Sequence, residues 1–337
     1  MPGDRGALGS EVTQVPAHAG RLRPLERYIF TLVFGFMASF VILVAFMATT
    51  TRGHLLLTGP SVSQVSVASG LTGSAVQAPN SGAGTARQSG TRRAGGQAPS
   101  PRLLSAALAG ELRPVLRTYH GQLAVGVVDL SSGAAATYDA GAVIRAGAIV
   151  TTDILAALLL QHQQAGTRMS DHEAELAAAM IEGDSTAAAN QLWTVIGGGQ
   201  GLAAANATLK LRDTSVAPGI SWTWTKTTVA DQLQLLEDFA APDSPLDSAA
   251  RDYALGLMTS VTAAQPWGVL AAATAGATGA VADGSLLGPR WVIGSIGVIE
   301  RQGHELLVAV LSDHNPAEGP AISAARAAVL AAASTVG

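Results

Sequence analysis

Residues 143–161 read Val-Ile-Arg-Ala-Gly-Ala-Ile-Val-Thr-Thr-Asp-Ile-Leu-Ala-Ala-Leu-Leu-Leu-Gln. From Ile154 to Leu160 this stretch carries no polar side chain. A helix that is apolar around its whole circumference is a buried one, because no face is left to meet water. Ile149, Ile154 and the leucines are therefore expected at the centre of a sizeable core. Ala148 and Thr151, three residues apart, are expected on one face of the helix's first turn.

Working outward, residues 103–119 predict a helix, and the alternation over 122–130 predicts a strand. Ser131-Ser132-Gly133 then turns the chain into a second strand ending near Tyr138. After the core helix come helices through 171–209, then 229–239 and 248–258. Residues 291–300 and 305–312 predict a closing hairpin around Gln302-Gly303, and 321–333 a terminal amphipathic helix. Strands from both ends of a segment with helices between them define an α+β class: an antiparallel sheet flanked by helices, plus an all-helical subdomain.

The chain before residue 101 has another character. Residues 1–27 are polar, hold four arginines and predict a disordered cytoplasmic tail. From Tyr28 to Thr49 there is no charge, and a bilayer core demands roughly 20 such residues. Residues 28–50 are thus expected to be one transmembrane helix preceding the folded domain. The arginines before it, against Arg52 alone just after it, put the N-terminus in the cytoplasm and the rest outside. A long apolar region without an Ala-x-Ala site favours an uncleaved signal anchor over a cleaved signal peptide. Residues 51–100 are poor in large apolar side chains and predict a flexible extracytoplasmic linker. Its Gly, Ser and Pro-rich part, residues 59–100, would span about 35 Å on average. Arg87, Arg92 and Arg93 within it are read as solvated charges, with attraction to anionic wall polymers or lipid headgroups as the alternative. Residues 101–337 form the folded domain. The expected partners are the membrane through residues 28–49 and a cell-wall ligand or membrane protein.

Composition excludes several chemistries. With no cysteine in 337 residues, disulfides, thiolate metal sites, a cysteine nucleophile and a lipidated cysteine are all ruled out. A net charge of −4 shows no nucleic-acid footprint. Only Lys210 and Lys226 are lysines. There is no Gly-x-Ser-x-Gly nucleophile elbow. The run from Gly197 to Gly201 lacks dinucleotide-loop spacing and predicts a turn between helices. His304-Glu305 and Asp313-His314 lack metal-site spacing and are expected at the surface or in turns. No metal and no cofactor is expected.

In order and spacing, residues 103–333 resemble the class A β-lactamase and penicillin-binding serine hydrolase family. Asp153-Ile154-Leu155-Ala156-Ala157-Leu158-Leu159 is similar to the run after the family's Ser-x-x-Lys. The stretch from Met180 to Ala188 resembles the helix and loop bearing Ser-Asp-Asn, and Thr227-Thr228-Val229-Ala230-Asp231-Gln232 the Thr-rich helix start. The stretches from Tyr253 to Met258 and from Gln265 to Gly268, then 291–298 and 307–313, resemble the approach to the closing hairpin and the hairpin itself.

The resemblance implies a groove that handles penicillins or D-Ala-terminated peptides, yet its reactive positions are altered. Ser-x-x-Lys aligns with Ala148 and Thr151, Ser-Asp-Asn with Asp184, Ser185 and Thr186, and Lys-Thr-Gly with Ala282, Asp283 and Gly284. No glutamate between Thr214 and Thr227 could activate a deacylating water. Removing a nucleophile and its base costs acyl transfer many orders of magnitude. No catalytic residue is therefore assigned, and the expected function is a non-catalytic binding or regulatory module at the cell wall. The alternatives are an enzyme using relocated residues such as Thr151 or Thr152, and a structural module of a membrane complex. Candidate groove residues are Asp184, Ser185, Trp222, Trp224, Asp283 and Ser285. Trp222 and Trp224 could stack on a ligand or be half-buried packing. Asp184 and Asp283, if close, should raise each other's pKa and repel anions while admitting a cation.

Overall fold

The computed structural model describes residues 100–261 and 267–337. The expected tail, transmembrane helix and linker lie outside the described residues. Among these, one helix, Glu318–Val336, is long and apolar enough to cross a membrane by length and composition. Its alanines 321, 325, 328, 332 and 333, with Val329, are buried in the domain.

The chain opens with helix α1 (Pro101–Leu116), where Pro101 occupies a first-turn position that has no hydrogen-bond partner to lose. It continues through β1 (Gln122–Asp129), β2 (Ala135–Tyr138) and the two-residue β3 (Ile144–Arg145). A 3-10 turn at Gly147–Ile149 leads into the core helix α2 (Val150–Ala165). There follow α3 (Asp171–Ile181), α4 (Thr186–Val195), α5 (Gly198–Leu209), a 3-10 turn (Trp222–Trp224) and β4 (Lys226–Thr227). Then come α6 (Val229–Ala240), α7 (Ser248–Ser260), a 3-10 turn (Val269–Ala272), β5 (Gly279–Leu287), β6 (Trp291–Arg301), β7 (His304–Asn315) and α8 (Glu318–Val336).

Five strands form one antiparallel sheet in the order β2-β1-β7-β6-β5. The period-2 alternation divides its side chains between two cores. Leu123, Val125 and Val127 of β1, with Leu306, Val308 and Val310 of β7, face α1 and α8. Ala124, Leu307, Ala309 and Leu311 face the helical layer. Strand β7 is buried on both faces, which is why its sequence is a continuous apolar run. A Cβ at Gly126 would lie 2.8 Å from both Leu233 and Val229 of α6, so glycine there sets how closely that helix approaches the sheet.

Every residue of α2 from Val150 to Leu160 is buried, as its apolar circumference requires. The helix ends at Gly166, whose φ of 64° is the left-handed geometry of a C-terminal cap. Helix α3 begins with a capping box: Ser170 accepts from Glu173 N–H while Glu173 reaches back to Ser170 N–H at 2.7 Å.

Several sequence expectations need correction. Residues 143–149 do not continue the core helix upstream. Ile144 and Arg145 pair with Thr227 and Lys226, and Gly147 adopts φ 63°, so the α-helix starts only at Val150. Ala148 thus sits in a 3-10 turn, one step before the helix. The run from Gly197 to Gly201 is mostly the first turn of α5, with only Ile196 and Gly197 outside the helices. Asp313 is buried, unlike its exposed neighbour His314. His304 begins β7 and lies 2.9 Å from the buried Asp129 carboxylate. Burial works upward on Asp129, but hydrogen bonds from Ser132, Ser131 N–H and His304 prevail and hold its pKa below the ordinary value.

Candidate functional site

The 3-10 turn at Gly147–Ile149 and the start of α2 lie against β5. A Cβ placed on Gly284 would come within 2.4 Å of the Ala148 methyl group, so strand and turn meet without any side chain between them. Thr151, one α-helical step further, has its hydroxyl committed to the backbone: Oγ1 donates to Ala148 O at 2.9 Å. Thr152 does the same to Ile149 O at 2.6 Å. Both hydroxyl hydrogens are therefore engaged with carbonyls.

Beside Thr151 is a small pocket of about 40 Å³ lined by Met180, Ile181, Glu182, Asp184, Val261, Ala282 and Asp283. It gathers four of the sequence-identified positions, Thr151, Asp184, Ala282 and Asp283. Asp184 is placed by the turn between α3 and α4, in the left-handed conformation at φ 48°. Asp283 points from β5 and accepts a hydrogen bond from Ser295 Oγ on β6; Ser295 Oγ in turn accepts from Val269 N–H at 2.7 Å. Burial pushes the Asp283 carboxyl up to about 6, partly offset by the Ser295 bond. Asp184, although exposed, is also raised, by partial desolvation of its carboxyl. The expectation that these two acids raise each other is thus corrected: desolvation, not mutual repulsion, is the cause. No lysine or arginine lines the pocket among the described residues. Lys210 caps the end of α5 and Lys226 lies on β4.

The remaining candidates lie elsewhere. Ser185 caps α4, accepting from Ala188 N–H at 3.2 Å, and Thr186 is exposed in that helix's first turn. Ser285 donates to Glu318 of α8, so its hydroxyl is tied to the terminal helix. The two tryptophans part company. Trp222 is buried, its indole N–H donating to Asn190 at 2.8 Å, and is therefore packing. Trp224 is 48% exposed, with the Arg145 guanidinium 4.3 Å from its ring centroid. Arg145 also donates to Thr223 O, which ties the loop to β3.

Sequence reading passed over a buried polar network that joins the start of α2 to α6. Asp153 is buried in the first turn of α2, with Gln232 Nε2 at 3.3 and 3.4 Å from its two oxygens. Gln232 also donates to Thr227 Oγ1, which contacts Thr214 Oγ1 at 2.7 Å, and Thr214 donates to Asp231. Asp231 further accepts from the backbone N–H groups of Arg212 and Asp213, pinning the start of the loop that carries the tryptophans. Burial lifts the Asp153 carboxyl to about 7; Gln232 opposes the shift and the Asp231 charge adds to it. The signal was present in the sequence: one carboxylate at the head of an otherwise apolar buried helix.

A five-stranded antiparallel sheet with α1 and α8 on one face and an all-helical layer on the other is the β-lactamase and penicillin-binding fold. Solved structures of that fold match the domain. PBP-A matches with a TM-score of 0.60 at 18% identity, over 68% of this chain and 94% of that one; a point mutant of PBP-A, solved as its acyl-enzyme complex with penicillin G, matches at 0.59 and 18%. A β-lactamase from Xanthomonas campestris pv. campestris gives 0.59 at 19% identity, covering 69% and 99%. The class A β-lactamase from Mycobacterium abscessus gives 0.58 at 20%, covering 66% and 97%. No family profile matches the chain, and no curated protein matches it. At these identities the likeness establishes the fold.

Proposed function

We propose that this chain is a pseudoenzyme of the β-lactamase fold: a membrane-anchored, extracytoplasmic module that binds or regulates at the cell wall without forming an acyl-enzyme. One observation carries the proposal. Where the turn leading into α2 meets β5, the positions aligned with a serine and its lysine hold the Ala148 methyl and a Thr151 hydroxyl already given to a backbone carbonyl. A hydroxyl becomes a nucleophile only when a neighbour takes its proton. The nearby pocket offers carboxylates and apolar groups but no lysine or histidine.

The same hydrogen bonds weigh against a relocated threonine nucleophile, since Thr151 and Thr152 both donate to the backbone. The expected outcome with a chromogenic cephalosporin is no turnover above the buffer rate; measurable turnover by the purified protein would overturn the proposal. The anchor is tested separately. Protease added to intact protoplasts should remove the domain and spare residues 1–27, and protection of the domain would reverse the orientation.

A further inference from the structure

Helix α1 carries charge of the opposite sign to the domain it belongs to. Residues 101–337 hold 12 arginines and lysines against 21 acids. Within 101–117 the balance reverses, with Arg102, Arg113 and Arg117 against Glu111 alone. All three arginines are exposed, and none makes an ion pair among the described residues. The same sign continues upstream in the sequence. No acid occurs between Glu26 and Glu111, while Arg52, Arg87, Arg92 and Arg93 precede the helix.

The arginines also share one side of the helix. At about 100° per residue, Arg102, Arg113 and Arg117 fall within roughly 60° of one another, and Glu111 lies roughly 120° beyond Arg117. From Arg102 to Arg117 the row runs about 22 Å along the axis. Leu103 flanks it and is 64% exposed, more than any other large apolar side chain among the described residues. The opposite side of the helix is fixed. Leu108 and Leu112 are fully buried in the core, and Ser105 Oγ accepts from Thr137 N–H of β2 at 3.0 Å. The helix therefore cannot roll, and its basic side faces outward.

We propose that this side of α1 docks on the anionic headgroups of the membrane that anchors the chain. The proposal rests on the anchor proposed above and gives the domain a defined face towards it. Guanidinium groups match phosphate oxygens in a fixed fork. Each arginine near an anionic surface favours the docked state by roughly fivefold, and three together by about a hundredfold. Such an attraction is weak for a free protein. A tether of about 35 Å makes the docking intramolecular, at an effective concentration in the millimolar range, so a weak contact suffices. Leu103 beside the row favours a lipid surface over a soluble polyanion, because an apolar side chain gains only where acyl chains lie beneath the charges.

The test uses the full chain in lipid nanodiscs of phosphatidylcholine, with and without phosphatidylglycerol. The chain has no cysteine, so Ala106→Cys, an exposed position within the arginine row, gives one attachment point for an environment-sensitive dye. The expected result is a blue-shifted emission, shielded from acrylamide, in the phosphatidylglycerol discs only. The shift should vanish in about 1 M salt, where the screening length falls to about 3 Å. It should also vanish when Arg102→Gln, Arg113→Gln and Arg117→Gln are combined, a change confined to exposed side chains, with the docked-to-free ratio falling about a hundredfold. Equal emission in both lipids, or a shift that survives the triple substitution, would overturn the docking. So would an equal shift in neutral discs on adding a soluble polyphosphate, which would make a polymer the partner. Failure of the chain to enter neutral discs would remove the anchor and the docking with it, whereas entry without lipid dependence removes the docking alone.

Discussion

Replacing Asp153 with Asn should stabilise the protein at neutral and alkaline pH, although the side chain is hydrogen-bonded and central. The Asp153 carboxyl is raised from 3.8 to about 7, chiefly by burial. A carboxyl raised in the folded state binds more protons folded than unfolded between those two values. Stability is therefore highest below about pH 4 and falls as pH rises towards 7. At about 1.4 kcal/mol per unit, roughly three units amount to about 4 kcal/mol above pH 7, of which about 2–3 kcal/mol is lost between pH 5 and pH 8. Asparagine keeps the shape of the protonated acid and cannot ionise. Its NH2 can also donate to Gln232 Oε1, which is buried without a partner, once the glutamine amide turns over. For a domain of this size, 1 kcal/mol shifts Tm by about 2–4 °C. Thermal unfolding followed by circular dichroism should show the variant's Tm on the order of 5–10 °C above the parent's at pH 8, with the gap narrowing by pH 5. Asp238 and Asp283, raised to about 6 by burial, leave both proteins a shared residual slope. Parallel Tm–pH curves would refute the reasoning.

Two further variants probe the place where the turn leading into α2 meets β5. Gly284→Ala would force a methyl group to 2.4 Å from the Ala148 Cβ and should cost about 1–3 kcal/mol, read from denaturant unfolding; an unchanged midpoint would mean the turn and strand can part freely. Ala148→Ser with Thr151→Lys should not restore acylation. The new lysine would enter a pocket walled by Glu182, Asp184 and Asp283, and an ion pair at about 4 Å favours the protonated form by about 4 kcal/mol at intermediate dielectric. Adding Asp184→Ser and Ala282→Lys should be required first, and mass spectrometry showing an adduct on the double variant alone would refute this.

What could be read from the sequence follows from where side chains speak for themselves. The apolar circumference of α2 and the two-faced apolar run of β7 announce burial directly, and the hairpin around Gln302-Gly303 is marked by its turn. Strand β5 is different: Gly284 lies against Ala148 and Gly279 against Ile299 and Leu270, and with Ala280, Ala282 and Ser285 also small the strand shows little periodicity of its own. The start of α2 was misplaced because Gly147 takes a left-handed φ that nothing in an apolar run demands. At the site, Asp184 and Asp283 were legible as acids in a groove. Their state was not, because the controlling factor is burial, and Ser295, which fixes Asp283, lies on another strand.

The central claim is that this β-lactamase fold carries no acylating serine, and the most direct measurement is fluorescent-penicillin labelling of membranes containing the full chain. After prolonged exposure, a denaturing gel should show no fluorescent band at the protein's mass, while a penicillin-binding protein in the same membranes labels. A covalent band at that mass, lost on denaturing the protein before exposure, would contradict the account.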